Sequence, residues 1–387
     1  MEKTNKKAVI TLWSGHFAVD SYSGFVNPIM PFLAANLGIS MAASTFILSL
    51  SHVCSSLMQP IFGYLSDRWK RRFFMFFGLM LASIFSPMIG IAHNVYALAF
   101  FLILGSIGNG FFHPQATSFI NINSSPKELT KNMSIFLAMG SLGFSLGPMI
   151  SSFFVEFFSP DKLSFTSILG IVVAILILIN VPKISNLPIN TDKIHLRKAV
   201  KEIFTSKPVT ILIMFSILKS LATQSMSILL PFLWKSLGYS AMSIGTLLFC
   251  FLIAGAFGTV ASAKLETLMG TKKVMVMAFC AIFPLTVLFA LTYKIFPAIS
   301  FVFYILIGFF AMLSVPINMV LAHQVMPQYK SIISGFIGGF SWGVVGFSMS
   351  LCGLLAQNYG IIQVLLAVSL LPAIFSVFVK YVPERKY

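Results

Sequence analysis

The sequence predicts an all-α membrane protein with twelve transmembrane helices arranged as two six-helix pseudo-repeats. Its composition is the first observation: 57% of the residues are hydrophobic and only 9% are charged. Apolar segments of membrane-spanning length recur along the 387 residues, and helices satisfy their own backbone in lipid whereas isolated strands do not. The third observation is a repeat, because PFLAANLGIS at Pro31–Ser40 returns as PFLWKSLGYS at Pro231–Ser240, an offset of 200.

Hydropathy places the spans in order along the chain. The predicted limits are 8–34, 41–65, 73–92, 95–120, 133–158, 164–181, 209–234, 240–263, 274–293, 298–325, 332–356 and 361–380. Residues 182–208 form the one long polar break, which predicts a basic cytoplasmic linker ending in a short amphipathic helix on anionic lipid. The predicted domains are therefore 1–181, an N-terminal six-helix bundle, and 209–387, a C-terminal one.

The repeat extends beyond its first match. Ser134, Phe136, Ser141 and Gly143 correspond to Ser334, Phe336, Ser341 and Gly343 at the same offset of 200. An even number of spans per half keeps both halves in the same topology. A binding site at the interface of two such halves is the general arrangement for alternating access.

The first span carries the most informative polar residues. His16 and Asp20 lie four residues apart within LWSGHFAVDSYSGFVNPIMPFL, which places both side chains on one helix face. Asp20 lies about twelve residues, or roughly 18 Å, from the start of its span, near the midplane of the hydrocarbon core. A carboxylate at that depth must face a cavity, take a partner or hold a proton. A structural acid satisfied by a neighbouring helix is the alternative.

Polar residues in other spans extend this candidate site. Lys219 lies about ten residues into the seventh span, so each half places one ionisable residue near mid-membrane. It could pair with Asp20, bind an anionic substrate, or extend its amine to the interface. His113 in the fourth span could relay protons with Asp20, or bond a carbonyl freed near Pro114. Further cavity candidates are Asn109, Gln115 and Gln224.

The net charge of +16 does not indicate a nucleic-acid partner, because its placement is asymmetric. With both termini in the cytoplasm, 22 of the 26 Lys and Arg residues fall in cytoplasmic tails and loops. The four cysteines lie within predicted spans and suggest neither disulfides nor a metal site. No nucleotide-binding, dinucleotide-binding or nucleophile motif occurs. We therefore expect no enzyme activity, no cofactor and no bound metal, and a monomer in the cytoplasmic (inner) membrane.

The loop after the second span carries a family motif. GYLSDRWKRR at Gly63–Arg72 fits the pattern G-x-L-x-D-R-x-x-R-R and resembles the signature loop between helices 2 and 3 of the Major Facilitator Superfamily. Lys70 stands where the usual pattern has glycine. The resemblance implies a cytoplasmic latch. Its predicted members are Gly63, which permits close helix approach, and the charged residues Asp67, Arg68, Arg71 and Arg72.

The fifth span resembles a motif of proton-coupled exporters in that superfamily. It contains Gly143-x-x-x-Gly147-Pro148, and the resemblance implies a hinge or close-packing role for these three residues. His16-x-x-x-Asp20, Gln59-Pro60-x-x-Gly63-Tyr64 and Phe112-His113-Pro114 are together similar to the fosmidomycin-resistance type of transporter. That resemblance covers much of the first half and implies proton-driven efflux.

These observations predict a secondary active transporter that exports a small organic molecule or anion by rocker-switch proton antiport. Asp20 would take and release the proton, with His16 and His113 tuning or relaying it. The alternatives are proton-coupled uptake or uncoupled uniport of a metabolite or siderophore-like anion. A non-transporting membrane receptor or scaffold, with a partner bound to the 182–208 linker, is the alternative from another class.

Overall fold

The computed structural model describes residues 3–69, 72–183 and 196–384, with the backbone alone described at 57–69, 196–197 and 330–331. Every regular element among these residues is a helix. The helices of the first half are α1 (Lys6–Gly24), α2 (Val26–Leu37), α3 (Met41–Trp69), α4 (Phe73–Met88), α5 (Val95–Asn123), α6 (Leu129–Phe157) and α7 (Ser167–Asn180). Two 3₁₀ segments, Ile89–Ile91 and Pro160–Thr166, extend α4 and precede α7.

The second half repeats the pattern after one short helix in the linker. Its helices are α8 (Leu196–Thr205), α9 (Lys207–Ser236), α10 (Ala241–Met269), α11 (Thr271–Thr292), α12 (Pro297–Val325), α13 (Lys330–Gly335), α14 (Ser341–Tyr359) and α15 (Ile361–Phe375). A π-helix, Phe336–Phe340, joins α13 to α14, and 3₁₀ segments lie at Pro327–Tyr329 and Ser376–Tyr381.

Within the described residues, ten helical segments are long and apolar enough to cross a membrane. The first two predicted spans complete the twelve. The first is divided between α1 and α2, and the second is α3, whose described apolar stretch is the shorter Met41–Ser56. The protein is therefore an all-α membrane protein with the predicted twelve helices, and the span limits agree with hydropathy to within a few residues.

The break in the first span has a local cause. Pro28 has no backbone N–H, so the carbonyl of Gly24 loses the donor that would normally reach it from four residues ahead. The helix assignment stops at Gly24 and resumes at Val26, while Phe25 keeps helical backbone angles. The predicted single span is thus two helical pieces separated by one residue.

Helices α1 and α6 form a close packing contact in the first half, and two glycines allow it. A Cβ at Gly143 would overlap the backbone of Phe17, and one at Gly147 would overlap the carbonyl of Ser21. Pro148 lies within α6, which continues through it to Phe157. The predicted fifth-helix motif therefore lies on the packing surface between the first and fifth spans.

The chain divides into two compact units, Met1–Asn190 with Trp234–Phe249, and Thr191–Leu233 with Cys250–Tyr387. The start of α10 belongs to the first unit. There the Oε2 atom of Glu156 accepts a hydrogen bond from the N–H of Ala241 at 2.9 Å, which supplies a negative charge at a helix N-terminus. The predicted domain limits, 1–181 and 209–387, stay a prediction.

The linker helix α8 shows where the sequence prediction differs from the structure. We expected its apolar face to lie on lipid. Ala199 and Ile203 are instead fully buried, Ile203 in the hydrophobic core of the second unit. The ring of Phe204 packs edge-on against that of Phe336 at 5.3 Å. Protein side chains therefore cover the face that carries Ile203, while Lys198, Lys201 and Phe204 stay exposed.

Candidate functional site

Three polar side chains meet in the first unit, from two helices far apart in the chain. Asp20 Oδ2 lies 3.2 Å from His16 Nε2, and Asp20 Oδ1 lies 3.2 Å from His113 Nε2. The helical spacing of four residues in α1 aligns His16 with Asp20, as predicted. Helix α5 brings His113 to the other oxygen of the carboxylate. The side chains are 8%, 17% and 25% exposed for His16, Asp20 and His113, so the cluster is largely removed from solvent.

Helix α6 fixes the position of the His16 ring. The Nδ1 atom of His16 lies 2.7 Å from the backbone oxygen of Phe136, and the two rings stack with centroids 4.0 Å apart. Gly140, one turn further along α6, lies directly against the His16–Asp20 contact. A Cβ there would lie 2.5 Å from His16 Nε2 and 2.7 Å from Asp20 Oδ2. A glycine is therefore required at 140 for the two groups to meet as they do.

These contacts determine how many protons the pair holds. A carbonyl oxygen only accepts, so His16 Nδ1 must carry a proton toward Phe136. A neutral His16 then presents a lone pair at Nε2, and an ionised carboxylate also offers only lone pairs. The contact between Nε2 and Oδ2 consequently needs one further proton, held on either atom. The pair is thus either imidazolium with carboxylate or imidazole with carboxylic acid.

A second polar contact joins α1 and α5 one turn away. The amide of Asn109 donates to the hydroxyl of Ser23, and Ser55 in α3 lies 3.5 Å from the amide oxygen of Asn109. Asn109 precedes His113 by four residues, so both lie on the α5 face that meets α1. Gln115 is buried, but it lies only two residues from His113 and therefore on another side of α5.

The remaining cavity candidates belong to the second unit. Lys219 and Gln224 are both buried in α9, with 7% and 6% of their surface exposed. No carboxylate among the described side chains lies within ion-pair distance of the Lys219 amine, while Asp20 has its partners in His16 and His113. The two mid-membrane ionisable residues thus have different surroundings, each within its own unit.

The predicted latch lies mostly outside the described residues. Only the backbone is described for Gly63, Asp67 and Arg68, and Arg71 lies outside the described residues. The backbone of α3 stays helical to Trp69, so the loop motif that starts at Gly63 begins inside a helix. Arg72 is described, and its Nη1 atom donates to the backbone oxygen of Val181 at 2.5 Å. A cation there stabilises the C-terminal end of α7.

The donor set of the cluster would also suit a metal ion. Among the described residues, His16, Asp20 and His113 form the one group of ligand atoms that lie within 4.8 Å of one another. Two imidazoles and a carboxylate accept divalent transition metals. Each imidazole, however, already lies at hydrogen-bond distance from its own carboxylate oxygen, which satisfies the groups without an ion. The cluster can therefore hold and exchange a proton without a bound ion.

Sequence reasoning missed two residues that shape this site. Phe136 contributes a backbone oxygen, which has no signature in sequence. Gly140 was not distinguished, as a candidate site residue, from the other small residues of the fifth span. Its spacing from Gly143 and Gly147, three and then four residues, is the one signal that could have placed it on the same helix face.

Comparisons with known proteins agree with this architecture. The Major Facilitator Superfamily sequence profile matches residues 12–350. The chain is 23% identical over 384 residues to a fosmidomycin resistance protein of Escherichia coli (strain K12), covering 96% of this chain and 91% of the relative. It is 26% identical over 179 residues to the quinolone resistance protein NorA of Staphylococcus aureus, covering 46% of each chain.

Solved structures show the same fold. A bacterial homolog to the human lysosomal transporter Spinster has a TM-score of 0.78 at 12% identity, with 97% of this chain and 96% of that chain covered. The nucleoside transporter NupG has a TM-score of 0.75 at 13% identity, covering 97% and 98%. A D-xylose-proton symporter has a TM-score of 0.73 at 17% identity, covering 98% of both chains.

Proposed function

The chain belongs to the Major Facilitator Superfamily, and from that premise we propose that it exports a small molecule in exchange for protons by alternating access. The observation that carries this proposal is the His16–Asp20 contact, whose geometry requires one proton. Imidazole is the side chain whose ordinary charge change lies near neutral pH, which suits a site that takes up and releases protons. The low exposure of the cluster makes each change of charge energetically consequential.

The proposed cycle follows from the proton count. With its proton, the pair joins α1 to the Phe136 carbonyl of α6 through His16. Without that proton, two lone pairs would face each other across 3.2 Å, and the contact would open. Proton loss therefore releases Asp20 from His16 within α1 while the His16–Phe136 bond stays in place, and proton uptake restores the contact. His113 holds the second carboxylate oxygen and keeps Asp20 oriented in both states.

The direction of transport rests on the resistance-protein relatives. The fosmidomycin resistance protein aligns over nearly the whole chain, so export of an organic molecule is the proposed direction. The uptake and uniport alternatives share the same fold and are distinguished by experiment. We also propose that the protein is a monomer of the inner membrane with both termini in the cytoplasm. In this proposal Gly63 and the charged motif residues act as a cytoplasmic latch, and Asn109 and Gln224 contribute to the substrate cavity, while Gln115 packs on another side of α5.

The test is substrate-induced proton movement in proteoliposomes that enclose a pH-sensitive dye, with fosmidomycin and a quinolone as the first probes. We expect the native chain to move protons when probe is added and Asp20→Asn to lose this movement. Asp161→Asn is the matched control, because Asp161 is half exposed and pairs with the neighbouring Lys162. Full gradient-driven transport by Asp20→Asn would refute the proposed coupling site.

Two further results would select an alternative. Probe flux without proton movement in the native chain would indicate a uniporter. Accumulation of probe inside cells that express the chain, reversed by collapsing the proton gradient, would indicate uptake by symport. Exclusion of probe, lost on collapsing the same gradient, is the result expected for export.

A further inference from the structure

Helix α9 of the second unit is more buried than the nine other long apolar helical segments counted above. In its most apolar 18-residue window 78% of the residues are buried, against 28–39% in those nine. It nevertheless carries a polar face, with residues at helical spacing that are all buried: Ser216, Lys219, Ser220, Thr223, Gln224 and Ser227. Protein-covered polar surface at membrane depth marks a site that handles a polar ligand.

Lys219 is the charged member of this face. Only 7% of its surface is exposed, and within the described part of the chain its amine has neither a hydrogen-bond acceptor nor a carboxylate partner. An ammonium removed from water is costly unless an anion or a set of acceptors surrounds it. Among the described residues none supplies such a charge to Lys219, and an anionic ligand from outside the chain would supply it.

The hydroxyl next to Lys219 shares this condition. Ser220 is 1% exposed, and its hydroxyl has no hydrogen-bond partner among the described residues. By contrast, Ser216 donates to the backbone oxygen of Ile337 at 2.7 Å, and Thr223 donates to the backbone oxygen of Lys219 at 3.2 Å. Lys219 and Ser220 are thus two adjacent buried polar groups of α9 that the described residues leave without a partner.

The internal repeat shows that the two halves differ in chemistry at the same place. Ser216 is the counterpart of His16, and it contacts the eleventh span as His16 contacts the fifth, at Ile337 and Phe136 respectively. The counterpart of Asp20 is then Ser220, so this half has no acid at that position and a lysine beside it. The π-helix Phe336–Phe340 contains the accepting carbonyl of Ile337, and such irregular turns recur at functional sites.

We propose that α9 carries an oxyanion subsite, in which Lys219 pairs with a carboxylate or phosphate group of the substrate. The hydroxyl of Ser220 and the amide of Gln224, one turn further along, supply additional donors. This inference rests on the proposed transport function and specifies the substrate class as an organic oxyanion. Proton chemistry then belongs to the first unit and anion recognition to the second.

The experiment measures thermal stability of the detergent-purified chain at constant ionic strength. The probes are sodium benzoate and phenyl phosphate, with sodium chloride and phenethyl alcohol as the inorganic and neutral references. We expect both oxyanions to raise the Tm of the native chain above the references. In Lys219→Met the fitted dissociation constants should weaken by about tenfold or more, while Lys219→Arg should stay within about threefold.

A matched control uses the exposed Lys294, because Lys294→Met removes the same charge at an exposed site and should bind like the native chain. Lys219→Met without ligand should also melt at a higher temperature than the native chain, since it removes a buried unpaired charge. The inference is overturned if neither oxyanion raises the native Tm above the references. It is equally overturned if Lys219→Met binds both as the native chain does.

This measurement is independent of proton coupling. Binding in detergent requires no gradient, so Asp20→Asn should retain it. Lys219-dependent binding without substrate-driven proton movement would leave the oxyanion subsite standing and refute the antiport proposal. Asp20-dependent proton movement with unchanged oxyanion binding in Lys219→Met would refute the oxyanion subsite and leave the antiport proposal standing.

Discussion

Replacing Gly140 by alanine tests the proton contact without removing any of its chemical groups. The added Cβ would lie 2.5 Å from His16 Cε1 and Nε2, and 2.7 Å from Asp20 Oδ2. An ordinary contact is about 3.4 Å, so the ring must withdraw by about 0.9 Å. The obstructed atoms are the ends of side chains, so the backbone of α6 can keep its course. The Nε2–Oδ2 separation is already 3.2 Å and cannot lengthen by that amount and remain a hydrogen bond.

The size of the effect follows from the contact that is lost. A hydrogen bond to a charged group contributes about 1.5–3 kcal/mol. Each 1.4 kcal/mol corresponds to about a tenfold change in an equilibrium constant, so Gly140→Ala should weaken coupling by about 10- to 150-fold. The assay is substrate-induced proton movement in proteoliposomes, with the Tm of the same preparation as a check on folding.

The matched control is Gly335→Ala, because a Cβ at Gly335 meets no atom within 4 Å. It should transport like the native chain. Coupling in Gly140→Ala that equals that of Gly335→Ala would show that the His16–Asp20 contact is not needed for transport. A Tm collapse confined to Gly140→Ala would instead show that α6 itself cannot accommodate the methyl group, which contradicts the argument above.

Three further substitutions separate roles around the cluster. His113→Gln should retain proton-coupled transport to within about tenfold, because an amide still donates to Asp20 Oδ1. His16→Gln should lose proton-coupled transport, because an amide cannot gain the extra proton. Equal losses for the two variants in proteoliposome assays would contradict this division of roles. Tyr22→Phe should lower stability by about 1–3 kcal/mol without changing coupling, because its hydroxyl donates to Thr166 O and accepts from Gly170 N. Thermal unfolding checks the stability loss, and a coupling defect at unchanged Tm would place Tyr22 in the proton pathway instead.

Much of the candidate site could be predicted from local properties of the sequence. The His16–Asp20 alignment depends on a four-residue spacing within one helix, so periodicity predicted it. The depth of Asp20 and Lys219 followed from counting residues from the ends of their spans. In α8 the amphipathic pattern predicted a helix, but the partner of its apolar face depended on Ile203 meeting the core of the second unit.

Contacts between segments that are distant in the chain could not be predicted from these local properties. His113 was a candidate from its residue type, its place in the fourth span and its motif, but the Asp20 oxygen that it meets lies 93 residues away along the chain. The Phe136 carbonyl fixes the His16 tautomer across 120 residues, and every residue has such a carbonyl. That Lys219 has no partner among the described residues is likewise a property of everything that surrounds it.

By itself, the sequence determined the twelve spans, their order and the two-fold repeat, because the hydrophobic length needed to cross a bilayer is a local property of the chain. It also determined which ionisable residues lie deep in those spans. Only the tertiary structure decided that Asp20 meets two histidines, one of them held by a backbone carbonyl of α6, and that Lys219 has no partner among the described residues. Those outcomes depend on packing between helices, where a glycine and a backbone carbonyl matter as much as the charged side chains.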